Sequence, residues 1–170
     1  AGIEVVLVDR SQEAAEKGRA YTAEHVEKGV KRGKTTKEKG AEMLARITAT
    51  DDYAALAGCD LIVEAVFEDM GVKAEVTKRA EAAAPEAVFA TNTSTLPITE
   101  LAKASARPGD FIGIHFFSPV EKMMLVEIIK GRETGDRALA KALDFVRQIR
   151  KTPIAVNDAR FFYANRCIIP

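Results

Sequence analysis

Phe111-Ile112-Gly113-Ile114-His115-Phe116-Phe117-Ser118-Pro119-Val120, continuing into Leu125-Val126-Glu127-Ile128-Ile129, is the stretch that decides how this chain folds. Both runs are apolar and read as buried strands, and Pro119 breaks the chain between them. If the second strand folds back beside the first, the Glu127 carboxylate comes within reach of the His115 imidazole. A neutral imidazole backed by a carboxylate is a general base, because the carboxylate holds the tautomer and stabilises the imidazolium that forms. The same spacing equally suits a core histidine beside an unrelated structural glutamate.

Outward from this pair, short apolar strands alternate with helical stretches. Ile3 to Val8 and Asp60 to Val66 read as buried parallel strands, as does Ala87 to Thr91, which stops at Asn92. Ser11 is placed to cap a long Ala-, Glu- and Lys-rich helix reaching about Lys31. Gly33, Gly40 and the lysines between them mark a break before a shorter helix around Glu42 to Arg46. Further helices are expected over Val72 to Ala84, Pro97 to Ala104 and Asp136 to Arg150, and a last strand over Ile154 to Val156. This alternation predicts an α/β fold, Rossmann-like, with a mostly parallel sheet and flanking helices. Such sheets bind ligands at the carboxyl ends of their strands. Asp9, Glu68, Asn92, Ser94 and His115 all fall at or just after strand ends.

The chain has 170 residues, 47% of them hydrophobic, enough for one domain with the edge of another. Lys+Arg and Asp+Glu each number 25, so net charge is zero and nothing points to a nucleic-acid or membrane-surface partner. No apolar run is long enough to span a bilayer. Cys59 and Cys167 are isolated, without metal-ligand spacing, which suits a reducing compartment and gives no metal site. A bacterial cytoplasm is the expected location, and a mitochondrial matrix fits the same features. The basic stretch from Lys28 to Lys39 reads as a solvated helical hairpin, with contact to CoA phosphates as the alternative.

His-Phe-Phe-Ser-Pro-Val with Leu-Val-Glu-Ile-Ile downstream resembles the signature of the L-3-hydroxyacyl-CoA dehydrogenases. Asn92-Thr93-Ser94-Thr95-Leu96 is similar to that family's Asn-Thr-Ser segment. Val63-Glu64-Ala65-Val66-Phe67-Glu68, followed by Lys73, is similar to its strand beside the nicotinamide. Three motifs in order are far more specific than any one. Ser118 stands where single-activity members usually carry asparagine, which argues for the multifunctional branch, the alpha subunits of fatty-acid oxidation complexes. The resemblance implies NAD-dependent oxidation of an L-3-hydroxyacyl-CoA to the 3-ketoacyl-CoA in β-oxidation. It implies His115, Glu127 and Ser94 as catalytic residues, Glu68, Lys73 and Asn92 as cofactor-binding, and Ser94, Ser118 and Asn165 as substrate-binding. Asp9, ending the first strand, is placed to accept hydrogen bonds from the adenine ribose of NAD and to repel a 2′-phosphate; a helix-capping acid is the other reading. Acyl-CoA is the implied partner, with a homo-oligomer or a thiolase subunit for the parent enzyme.

No Gly-x-Gly-x-x-Gly turn occurs anywhere in the chain, although a dinucleotide-binding domain normally opens with one. The family pattern begins here at its second strand, so the expectation is an N-terminally truncated domain over residues 1–157. Residues 158–170 then begin the family's helical second domain. The family usually has glycine where Arg160 stands, which leaves the local turn open. Such a chain alone is expected to show no turnover. Two other readings stay open: a non-catalytic structural fragment of such an enzyme, and a short-chain 3-hydroxybutyryl-CoA dehydrogenase.

Overall fold

A computed structural model describes residues 2–168. Residues up to Leu56 form one compact unit and those from Ala57 a second.

In the first unit, β1 (Val5–Val8) leads into α1 (Gln12–Lys31). Ser11 caps this helix, its Oγ accepting from the Ala14 N–H at 3.2 Å. Two i,i+4 pairs, Glu24–Lys28 and Glu27–Lys31, line its exposed side. The turn at Gly33, whose φ is +67°, starts the return path. α2 (Lys37–Ala45) follows, capped by Thr36, and β2 (Ile47–Thr50) then pairs parallel with β1. Two expectations need correcting. Gly40 does not interrupt the chain; it lies buried inside α2 against α1, where a Cβ would stand 2.8 Å from Val26 Cγ1. Its smallness lets the two helices approach, so tertiary contact outweighs its poor helix propensity. The β2 strand was not anticipated, because Ile-Thr-Ala-Thr is too short and mixed to stand out as a period.

In the second unit, the strands are β3 (Leu61–Glu64), β4 (Val88–Thr91), β5 (Phe111–Phe116), β6 (Leu125–Lys130) and β7 (Thr152–Asn157). They form one sheet in the order β3-β4-β5-β6-β7, parallel throughout except for the antiparallel pair β5–β6. The helices are α3 (Met70–Ala83), α4 (Ile98–Leu101), α5 (Asp136–Gln148) and α6 (Ala164–Ile168). The sheet is Rossmann-like, as expected.

Side chains alternate across a strand with period two, so each strand divides its residues between two faces. On one face Val88, Ala90, Ile112, Ile114, Val126 and Ile128 pack against Ala138, Ala142 and Val146 of α5. The other face receives the alternate residues: Glu64 beside Thr91, Thr91 beside Gly113, and His115 beside Glu127. The polar residues of this sheet therefore collect opposite α5.

Candidate active site

His115 and Glu127 are direct cross-strand partners in the β5–β6 pair, so their side chains leave the sheet on the same face. His115 Nδ1 lies 2.8 Å from Glu127 Oε2, and both side chains are buried. Glu127 Oε1 accepts from two backbone amides, Tyr163 at 3.0 Å and Ala164 at 2.7 Å. An ionised carboxylate only accepts, so the imidazole hydrogen belongs on Nδ1 and the Nε2 lone pair is left open. Nε2 makes no hydrogen bond among the described residues. Phe117 and Phe162 flank the ring, with centroids 4.5 Å and 5.8 Å away, and shield it from water.

The turn that carries the two amides onto Glu127 is unusual. Phe161 and Phe162 both have positive φ, +64° and +53°. Bulky residues rarely adopt this region. The open question at Arg160 thus resolves one and two residues later, because the left-handed turn is what aims the Tyr163 and Ala164 N–H groups at Oε1. Asp158 anchors the start of this segment: its carboxylate caps α4, accepting from Ile98 N at 3.1 Å and Thr99 N at 2.8 Å.

Ser94 and Asn165 are brought together, Asn165 Nδ2 donating to Ser94 O at 3.3 Å. Asn92 directly follows β4; its Oδ1 accepts from Phe116 N at 3.0 Å, which ties the end of β4 to β5 and leaves the amide NH2 as a donor. Ser118 is exposed on the β5–β6 loop, just before a cis proline, and this loop is held by Lys151, whose ammonium donates to Val120 O and Met123 O.

Glu68 and Lys73 lie together, but not as an exposed charge pair. Lys73 is on the inward face of α3, and its side chain is 1% exposed. Its ammonium donates to Glu64 Oε1 at 2.8 Å and Val66 O at 3.3 Å, and lies 3.4 Å from Glu68 Oε2. Two of its N–H groups are thus engaged inside the protein, with the Glu68 carboxylate as an ion-pair neighbour. Glu68 Oε1 accepts from Thr93 Oγ1 at 2.6 Å, Ser94 N at 3.0 Å and Thr95 N at 3.2 Å. Partial burial raises the Glu68 pKa, but the Thr93 hydroxyl, the Ser94 amide, the Lys73 charge and the Thr95 amide outweigh it and bring it down to about 2. Glu64, to which the sequence reading assigned no role, is buried beneath them. Its signal was a carboxylate inside an apolar strand, which demands a partner.

Asp9 directly follows β1 in the other unit and is exposed, its Oδ1 accepting from Arg10 N at 2.7 Å. Ser11, not Asp9, caps α1. The helix-capping alternative for Asp9 therefore falls away.

Residues 1–159 match the family model described as 3-hydroxyacyl-CoA dehydrogenase, NAD binding domain. The chain belongs to that family. Its relatives include the fatty acid oxidation complex subunit alpha of Shewanella sp. (strain W3-18-1), 41% identical over 169 residues, which cover 99% of this chain and 24% of that protein. Among solved structures, (S)-3-hydroxybutyryl-CoA dehydrogenase PaaH1 from Ralstonia eutropha superposes with TM-score 0.95 at 36% identity, covering 98% of this chain and 59% of that one. FadB2 of M. tuberculosis gives TM-score 0.94 at 31% identity, covering 99% and 60%. The chain thus spans about a quarter of the length of the curated relatives it matches. Among the described residues no helix is long and apolar enough to cross a membrane, and no group of three or more His, Cys, Asp or Glu side chains is placed to hold a metal.

Proposed function

We propose that this domain serves NAD-dependent oxidation of an L-3-hydroxyacyl-CoA to the 3-ketoacyl-CoA, with His115 as the base. The supporting observation is the buried His115–Glu127 pair, with Nδ1 held by a carboxylate that two amides fix in place. The C3 hydroxyl of the substrate gives its proton to Nε2. Glu127 stabilises the imidazolium, and Phe117 and Phe162 keep its surroundings dry. Ser94 and Asn165 form one polar edge suited to the substrate oxygen, with Ser118 on the adjoining loop.

NAD⁺ supplies the hydride acceptor when bound. In the first unit Asp9 offers an exposed strand-end carboxylate suited to ribose hydroxyls. In the second unit the Asn92 amide offers a donor suited to a carboxamide. Lys73, bonded to Glu64 and Val66 O and standing 3.4 Å from Glu68, belongs with Glu68 to the cofactor side of the second unit.

Membership in an oxidation-complex alpha subunit, with a thiolase subunit or a second copy as partner and a bacterial cytoplasm as location, is the reading favoured by Ser118 and the Shewanella relative. The test is NADH formation from an L-3-hydroxyacyl-CoA by the intact polypeptide. His115→Gln should lower kcat by about 10²–10⁴-fold with little change in substrate affinity. Near-normal turnover in that variant would remove His115 as the base.

A further inference from the structure

The short helix α4 takes its N-terminal cap from far along the chain. Pro97, at its cap position, makes no side-chain cap bond. The Asp158 carboxylate fills that place, Oδ1 accepting from Ile98 N at 3.1 Å and Oδ2 from Thr99 N at 2.8 Å. Both oxygens are committed to successive amides, so the carboxylate is fixed in orientation as well as in place. The backbone N–H of Asp158 donates to Lys130 O at the end of β6, the strand that carries Glu127. Further on, Asn165 Nδ2 donates to Ser94 O at 3.3 Å. Residues 158–165 are thus tied at both ends to residues 94–99. Between the two ties Phe161 and Phe162 stand at φ +64° and +53°, and the Tyr163 and Ala164 N–H groups reach Glu127 Oε1. Left-handed backbone at two successive bulky residues persists only where its surroundings over-determine it. A local serine or threonine would serve α4 itself as well. A cap drawn from 60 positions away adds a tether that a local one cannot.

We propose that Asp158 is a positioning residue. By tying residues 158–165 to α4 it holds the Phe161–Phe162 turn in the form that aims the Tyr163 and Ala164 N–H groups at Glu127, and through Glu127 it sets the His115 ring. Its hold on the turn stands on geometry alone; only the consequence for turnover rests on the dehydrogenase reading above.

Hydrogen exchange read by mass spectrometry, with NADH formation from an L-3-hydroxyacyl-CoA, tests this in the intact polypeptide. In Asp158→Ala, exchange over residues 159–165 should speed about tenfold while β6, residues 125–130, keeps its rate. The kcat should fall about tenfold with the KM for NAD⁺ nearly unchanged. Adding Pro97→Ser gives α4 a local cap without the tether. It should restore protection over residues 98–101 and the thermal midpoint, and leave the fast exchange over 159–165 and the low kcat as they are. Recovery of kcat in that double variant would reduce Asp158 to a helix cap and overturn the positioning role. So would unchanged exchange over 159–165 in Asp158→Ala, an equal rise over 125–130, or a loosened turn with normal kcat. Should Asp158→Ala not fold, Asp158→Asn keeps one acceptor oxygen for the two α4 amides and should show the same pattern at smaller size. No rise over 159–165 in that variant would overturn the proposal equally. If the unmodified polypeptide forms no NADH, the dehydrogenase reading fails and the exchange rates still decide whether Asp158 holds the turn.

Discussion

At Glu127 both carboxylate oxygens are committed, Oε2 to the imidazole and Oε1 to two amides. Glu127→Gln cannot keep both duties. An amide NH2 facing Tyr163 and Ala164 would set donor against donor. Facing His115, it would force Nδ1 to accept and place the hydrogen on Nε2, which could then take no proton. We expect kcat to fall by about 10²-fold or more, with an effect strongly non-additive with His115→Gln in a double-mutant cycle. Simple additivity would mean the two residues act apart. Glu68 makes a prediction in pH. Its folded pKa is about 2 against an ordinary 4.5, so its contribution to stability is present above the ordinary value and is lost as pH falls from there toward 2. Thermal melts of the protein and of Glu68→Gln should differ most near neutral pH and converge below about 4.5. A gap that persists at low pH would mean that Glu68 acts through packing alone.

At the scale of elements, the antiparallel β5–β6 pair places the base and the parallel strands around it carry the polar neighbours. This arrangement depends on α4 lying close to β5. A Cβ on Gly113 would come 2.7 Å from Ile98 Cδ1 and 3.0 Å from Ile129 Cβ, and the latter atom cannot swing away. Gly113→Ala should therefore cost about 1–3 kcal/mol. The shift in urea midpoint reads this directly, and an unchanged midpoint would show that α4 is free to move off the sheet. The same helix is capped by Asp158 from beyond β7, so α4, the Ser94 segment and the Phe161–Phe162 turn share their supports.

For the whole molecule the open matter is cofactor choice. Asp9 stands exposed at the end of β1, a carboxylate suited to ribose hydroxyls and hostile to a 2′-phosphate. Replacing it with serine in the intact polypeptide should weaken NADH binding and narrow the preference over NADPH, both measured by calorimetric titration. Equal affinity for the two cofactors in the unmodified protein would deny Asp9 this part. Electrostatic repulsion of this kind depends on a single charge, so the effect should shrink as salt rises.

The amino-acid sequence by itself determined the α/β class, the strand positions of the second unit and the capping of α1 by Ser11. Hydrophobic period and cap chemistry are local, so they are legible over a few residues. The His115–Glu127 pair was legible for a related reason: a break at Pro119 between two apolar runs leaves a fold-back as the natural path. Only the tertiary structure decided the rest. Glu64 meets Thr91 across 27 positions of chain, and Glu127 meets Ala164 across 37. Nothing near Lys73 in the sequence marks it as buried until α3 is laid on the sheet and turns it inward. Gly40 reads as a breaker until α1 packs against it. In each case the deciding neighbour is remote in sequence, and its approach is set by strand register and helix packing, which no local pattern encodes.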